Sequence, residues 1–194
     1  DVLYVHRIDP GTPLEETVGA MVDVVRQGKV LYVGLSAVSP AVLVQAQRLL
    51  TEYDAPAAGC QVSYSMMDRW AERTLLGTCR EQQLGIIACA PLAHGALSTI
   101  GRGSSAGRQA LLRALKHVAI SRGQSVEQLA LSWALRDPHV ASGLVSTSDP
   151  EHLVELHEAT RRTEFSAMEL AAIDACCPPP TPHHSTAPAV EEPE

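Results

Sequence analysis

The chain has 194 residues and a mass of 20.7 kDa, enough for one good-sized core, and its 45% hydrophobic and 19% charged residues are those of an ordinary globular protein. A formal net charge of −7, with the 15 Lys and Arg residues gathered in no cluster or stripe, lacks the electrostatic footprint of a nucleic-acid binder. No apolar stretch approaches the roughly 20 residues that a membrane-spanning helix needs, and no basic-then-apolar segment opens the chain. The reading is therefore of a cytoplasmic protein with neither nucleic acid nor membrane as partner.

The first β-rich run, VLYVH (2 to 6), starts almost at Asp1, so the chain is expected to be a piece of something longer. Its helix is announced by Thr12 as cap, Pro13 at the first helical position and Glu15 completing a capping box. Leu14, Val18, Met21, Val22 and Val25 then share one face, and Gly28 supplies the stop. A second run, VLYVGL (30 to 35), precedes a helix opened by Ser39 and Pro40 that buries Leu43, Ala46 and Leu50. After CQVSY (60 to 64), a third helix carries Ala71, Leu75 and Cys79 and ends near Gly85. The fourth run, IIACA (86 to 90), leads into a glycine- and serine-rich loop from Pro91 to Gln109.

Two consecutive helices follow, the second opened by a Ser125/Gln128 capping box and burying Leu129, Trp133 and Ala134. The last strand, GLVS (143 to 146), precedes a helix starting near Pro150 and a final helix opened by Ser166 and Glu169. From Pro178 the tail has six prolines in its last seventeen residues and almost nothing to bury, so disorder is expected. The domain reading is 1–177 as one folded portion and 178–194 as a disordered tail.

Near-continuous apolar strands alternating with amphipathic helices indicate an α/β protein with a parallel sheet. Five such units suit either an open doubly wound sheet or part of a closed (β/α)8 barrel, and spacing alone does not separate them. Neither GxGxxG nor GxxxxGK[ST] is present to favour the open sheet. The five cysteines (60, 79, 89, 176 and 177) show no metal-ligand spacing and read as reduced thiols, and His183 and His184 lie in the tail without further ligands, so no metal is expected.

The ordered series HRIDPGTPLEET, QGKVLYVGLS, QVSYSMMDRW, PLAHGAL and RGQSVEQLALSWALRD resembles the aldo-keto reductase superfamily, in the branch of the potassium-channel beta subunits and bacterial L-glyceraldehyde 3-phosphate reductases. The resemblance covers residues 1 to about 175. It implies a (β/α)8 TIM barrel binding NADPH in extended form, of which this chain supplies the equivalent of strands 4 to 8 with their helices. The family's catalytic tyrosine, lysine and aspartate belong to the portion before strand 4, which leaves His6 as the one matching catalytic position. Tyr64, near a strand end, is the sole local candidate for a replacement acid, with a core or rim tyrosine as the competing reading.

For the cofactor, the resemblance carries Ser36 and Gln61 over to the nicotinamide carboxamide, Cys89 to the position that stacks on the nicotinamide ring, Pro91, Leu92 and Gly95 to the pyrophosphate loop, and Ser148 and Glu155 to the adenosine end. Several positions depart from the family pattern. Ala37 stands where many members have asparagine, and Cys89 where an aromatic ring is usual. Ser146, His152 and Leu156 replace glycine, glutamine and asparagine. The basic residue after the pyrophosphate loop is missing, with Arg102 and Arg108 as possible substitutes. Structural readings stand beside the functional ones: Ser148 as a helix cap, Glu155 on a solvated face, Gln61 satisfied by backbone.

The resemblance implies NADPH-dependent reduction of a small carbonyl substrate by the C-terminal part of a longer enzyme. The alternative is a truncated, catalytically incompetent homologue acting as a binding or assembly module. Five barrel strands alone leave both sheet edges and an apolar inner face uncovered, so self-association or a partner completing the barrel is expected.

Overall fold

A computed structural model describes residues 1–55, 57–98 and 105–180. Five parallel strands, β1 (Val2–Val5), β2 (Tyr32–Ser36), β3 (Ala57–Ser63), β4 (Ile86–Cys89) and β5 (Val140–Leu144), form one sheet in the order β1-β2-β3-β4-β5. Spatial order thus follows chain order with no reversal. A doubly wound sheet requires a point at which the order reverses; the described sheet has none, and its sequential order is like that of consecutive units in a (β/α)8 barrel.

The helices between the strands are α1 (Leu14–Arg26), α2 (Pro40–Glu52), α3 (Leu75–Glu81), α4 (Ala106–Ser121), α5 (Val126–Ala134), α6 (Pro150–Glu158) and α7 (Ala167–Cys176). Val33 and Leu35, Cys60 and Val62, Ile86 and Ala88, and Val140 are all buried in the main core with Val18, Met21, Val22, Leu43, Ala46, Leu50, Leu75 and Cys79 from the helices. The alternate positions Gln61, Ser63, Ile87 and Cys89 are only half-buried and Leu144 is exposed. A period-2 strand has two faces, and here one packs on helices while the other is open. Tyr4 lies on the open face, with its ring so close over Gly34 that a Cβ there would clash with it. Both sheet edges carry exposed apolar groups: Val2 and Leu3 on β1, Leu144 on β5.

Local signals account for most helix ends. Ser39, Ser125 and Ser166 cap their helices through the side chain, the latter two in full capping boxes with Gln128 and Glu169. At the end of α1, Gly28 adopts a φ of +69°, Gly28 N–H donates to Val25 O and Lys29 N–H to Val24 O, which is the Schellman arrangement.

Five expectations need correction. The third helix does not carry Ala71, which lies on a separate 3-10 turn (Trp70–Arg73), and it ends at Glu81 rather than near Gly85. Thr12 does not cap α1: its hydroxyl donates to Asp9 Oδ2 at 2.7 Å while Gly11 N–H donates to Oδ1 at 3.0 Å, so Asp9 organises the turn and Pro13 takes the cap position without a side-chain bond. The loop after β4 does not run to Gln109, because Ser105 caps α4 and the helix begins at Ala106. The last strand begins three residues earlier than its apolar run, at Val140, and ends at Leu144. The cap of α6 is Asp149, which accepts from Glu151 N–H, rather than Ser148. Arg102, His183, His184 and residues 181–194 of the tail lie outside the described residues.

Two of the quoted segments meet in the core. Trp133, fully buried on α5, packs 5.2 Å from the Tyr64 ring, and the guanidinium groups of Arg136 and Arg69 lie 3.7 and 4.9 Å from its ring centroid. Tyr64 donates to Glu72 Oε1 at 2.7 Å and receives a bond from Arg136 at 2.8 Å. Burial pushes its phenol well above the ordinary value. Tyr64 is a core tyrosine, buried on the helix-covered side and already bonded to Glu72 and Arg136.

Candidate functional site

Parallel sheets of this kind present loops at the C-terminal ends of their strands, where chemistry-bearing residues collect. At that end lies a cleft of about 920 Å³ between the loop after β4 and the loop from β5 into α6. It is lined by Cys89, Pro91, Leu92 and Gly95 on one side and by Ser148 on the other, so five of the residues selected from sequence share one cavity. Its size lies within the roughly 300–1,000 Å³ of small-molecule sites.

The wall after β4 is a tightly wound turn. Ala90, Ala93, His94 and Gly95 all have positive φ (52°, 50°, 53° and 86°), and the amides of Ala93, Gly95, Ala96, Leu97 and Ser98 donate to carbonyls of the same segment. Gly95 N–H is used on Leu92 O, so the contribution of Gly95 to the cleft is space: a Cβ there would meet nothing within 4 Å. Arg108 braces this turn, donating at 2.9, 2.9 and 2.8 Å to the carbonyls of Ala96, Gly95 and Ser98. As a substitute for the missing phosphate-contacting base it is therefore a poor match; its guanidinium holds the loop and does not line the cleft.

The floor towards the sheet centre is built by register. Ser36 pairs with Gln61 across β2 and β3, and Gln61 Nε2 donates to Cys89 Sγ at 3.4 Å. Sulfur is a weak acceptor, so the Gln61 carboxamide is held in place by a bond that a stronger acceptor can readily replace. Ser36 is buried at the strand end. Ala37, next to it, has a φ of +52°, in the left-handed region that asparagine tolerates and alanine does not favour. An asparagine would meet that backbone at less cost than the alanine present.

His6 follows β1 directly. Because Val5 pairs with Leu35, the next residue of each strand puts His6 in the register row of Ser36, at the exposed edge of the sheet and outside the cleft. Glu155 also lies apart, exposed on α6, where its carbonyl accepts from Gln128 Nε2 at 2.8 Å.

A polar chain that sequence reasoning did not assemble joins Ser98, Thr147 and His152 of the cleft lining to Glu127 behind them. Glu127, on the first turn of α5, is 2% exposed; Ser98 donates to its Oε1, and His152 Nε2 lies 3.3 Å from its Oε2. That contact has ion-pair distance without hydrogen-bond alignment. His152 Nδ1 stands 3.1 Å from Thr147 Oγ1, which in turn accepts from Asp149 N–H at 3.1 Å. His152 was noticeable as a departure from glutamine, whereas Glu127 looked like any acidic residue on a first helical turn, and only the fold pairs the two.

A more open groove of about 660 Å³ lies at the opposite ends of the strands, near Arg80, Asp137, His139 and Phe165. Its two arginines are paired: Arg80 with Asp137, and Arg136 with Glu72 at 2.8 Å. Among the described residues no group of three or more His, Cys, Asp or Glu is arranged to hold a metal ion, and no helix is long and apolar enough to cross a membrane.

A parallel sheet in sequential strand order with its cleft at the C-terminal strand ends defines an α/β protein of barrel type, and comparison with known sequences gives the family. Residues 1–178 match the aldo/keto reductase family, and the chain belongs to that family of oxidoreductases. It is 38% identical over 197 residues to L-glyceraldehyde 3-phosphate reductase of Escherichia coli K12, covering 90% of this chain and 57% of that protein. Probable aldo-keto reductase 1 of Glycine max is 27% identical over 199 residues, covering 89% and 56%. Among solved structures, the thermostable aldo-keto reductase Tm1743, crystallised with the inhibitor epalrestat, matches with a TM-score of 0.75 at 30% identity, over 91% of this chain and 59% of that one. The chain spans less than two thirds of the length of these relatives.

Proposed function

We propose that this chain serves NADPH-dependent reduction of a small carbonyl compound to an alcohol, contributing the equivalent of barrel strands 4 to 8 to a longer enzyme. The observation that carries the reading is the cleft: it gathers Cys89, Pro91, Leu92, Gly95 and Ser148, and it opens beside the Ser36–Gln61 row. A dinucleotide suits its volume, although the described lining offers no Lys or Arg for the phosphates. The open space at Gly95 admits a pyrophosphate close to the backbone, and the weak Cys89 bond leaves the Gln61 carboxamide free to exchange partners. When bound, the nicotinamide supplies hydride to the carbonyl carbon.

The chain's own residues then have distinct tasks. Ser36 and Gln61 orient the ring's carboxamide, the turn of Leu92 to Gly95 receives the phosphates, and Ser148 meets the adenosine end. His6, in the register row of Ser36, donates a hydrogen bond to the carbonyl oxygen and orients it as negative charge develops there. The proton itself comes from a group outside these 194 residues, because Tyr64 is bonded to Glu72 and Arg136 in the core.

Titration of the purified chain with NADPH, read by nicotinamide fluorescence, tests the dinucleotide part. Saturable micromolar binding supports it, and no binding at millimolar NADPH overturns it. Turnover is tested by adding the missing units, taken from a relative, in trans or by fusion; glyceraldehyde 3-phosphate, which appears in the name of the 38% identical relative, is the first carbonyl to assay.

A non-catalytic binding role is the second reading, and Cys89 favours it. A thiol in place of an aromatic ring forfeits about 0.5–1.5 kcal/mol of stacking. NADPH binding without carbonyl turnover in the completed barrel would select this reading over the first.

A further inference from the structure

We infer that Glu127 is a positioning residue that fastens the two walls of the cleft to each other, so that the turn after β4 and the first turn of α6 hold their separation before any ligand arrives. The inference rests on the proposed dinucleotide reading only for what the cleft binds; the fastening itself stands on geometry.

Ser98 closes the segment that begins at Pro91, and its hydroxyl donates to Glu127 Oε1. His152 lies on α6, with Nε2 3.3 Å from Glu127 Oε2 and Nδ1 3.1 Å from Thr147 Oγ1. Thr147 is bonded to Asp149, the cap of α6. One line of polar contacts therefore crosses from one wall to the other through a single carboxylate. Ser98, Glu127 and His152 are 7%, 2% and 9% exposed, so water has little access to stand in for a lost partner. A carboxylate this deep is costly unless polar groups face it, and here Ser98 donates to Oε1 while His152 faces Oε2 at ion-pair distance, which couples both positions to Glu127.

The rest of α6 is anchored separately. Gln128 Nε2 donates to Glu155 O at 2.8 Å, Ser132 Oγ donates to Ala159 O at 2.9 Å, and Leu131, Leu156 and Ala159 form their own apolar cluster. Loss of Glu127 should thus loosen the cleft walls while leaving the α5–α6 packing in place. A ligand long enough to touch both walls pays less to order them when they are already tied together.

The test is hydrogen–deuterium exchange by mass spectrometry on the native chain and on Glu127→Ala, Glu127→Gln and Ser98→Ala, with NADPH titration alongside. Glu127→Ala is expected to speed exchange about tenfold in both 91–98 and 145–152, with the strands around Val33 and Cys60 unchanged; Glu127→Gln, which keeps the shape and some hydrogen bonds, is expected to do less.

The discriminating readout is transmission across the cleft. Ser98→Ala should raise exchange several-fold in 145–152, the wall that it meets through Glu127, and should add nothing there once Glu127→Ala is present. NADPH affinity should fall about tenfold in Glu127→Ala and less in Glu127→Gln. Unchanged exchange, exchange raised on one wall only, or a Ser98→Ala effect that persists without Glu127 would each overturn the inference. Failure of the native chain to bind NADPH would overturn the dinucleotide reading instead, and the exchange data would still decide the role of Glu127.

Discussion

Ala37 shows how one residue can carry a cost that its neighbours explain. It sits at the C-terminal end of β2 with a φ of +52°, donates its N–H to Gln61 O at 3.3 Å, and cannot relax without moving the Ser36–Gln61 row. A left-handed alanine costs about 1–2 kcal/mol relative to a residue at ease there. Ala37→Asn is therefore expected to raise stability by about 1 kcal/mol in urea denaturation, because the asparagine side chain tolerates this backbone. A loss of stability would show that the bend is set by something other than backbone preference. Cys89 poses the complementary case. Cys89→Tyr should tighten NADPH binding by about 0.5–1.5 kcal/mol, read by fluorescence titration, if a ring at this position stacks on the nicotinamide; unchanged or weaker affinity would place the nicotinamide elsewhere.

Among the elements, α7 is the one whose start is most completely specified. Ser166 accepts from Glu169 N–H at 3.3 Å, and Glu169 Oε2 receives the Ser166 N–H at 2.7 Å and the Ser166 hydroxyl at 2.9 Å, while Arg122 reaches Oε1 at 3.0 Å. The backbone bond from Ser166, ahead of Arg122, holds the Glu169 carboxyl below its usual value. A carboxyl depressed in the folded state contributes stability that is fully present above its unfolded value, about 4.3, and is lost as pH falls through the lower folded value. Ser166→Ala should cost about 1 kcal/mol near neutral pH by thermal or urea denaturation. Glu169→Gln should in addition flatten the fall in stability below about pH 4; an unchanged acid limb would mean that other carboxylates govern it.

At the scale of the whole molecule, the feature with the largest consequence is the uncovered face of the sheet. Edge strands present unpaired backbone donors and acceptors, and here β1 and β5 also expose Val2, Leu3 and Leu144. We propose that a second copy or the remaining barrel strands cover this face. Light scattering on the purified chain is expected to give a mass above the 20.7 kDa of one copy, and a well-behaved monomer at micromolar concentration would count against it. Addition of the missing units should then convert the associated chain into a defined species.

Much of this architecture was legible in the sequence because it is written locally. Apolar periodicity, the serine caps, the Ser125/Gln128 and Ser166/Glu169 boxes and the Gly28 stop each act within a few residues, so their signals are contiguous. Where local rules failed they failed against local competitors, as when Asp9 took the turn that Thr12 was expected to cap and Asp149 the cap expected of Ser148. What only the tertiary structure decided depends on partners far apart in the chain. The sequential strand order, the engagement of Tyr64 by Glu72 and Arg136, the bracing of the cleft turn by Arg108, and the meeting of Ser98, Glu127 and His152 all arise from packing between elements. A side chain's propensity reports on its own backbone; its task is set by whatever the fold brings alongside it.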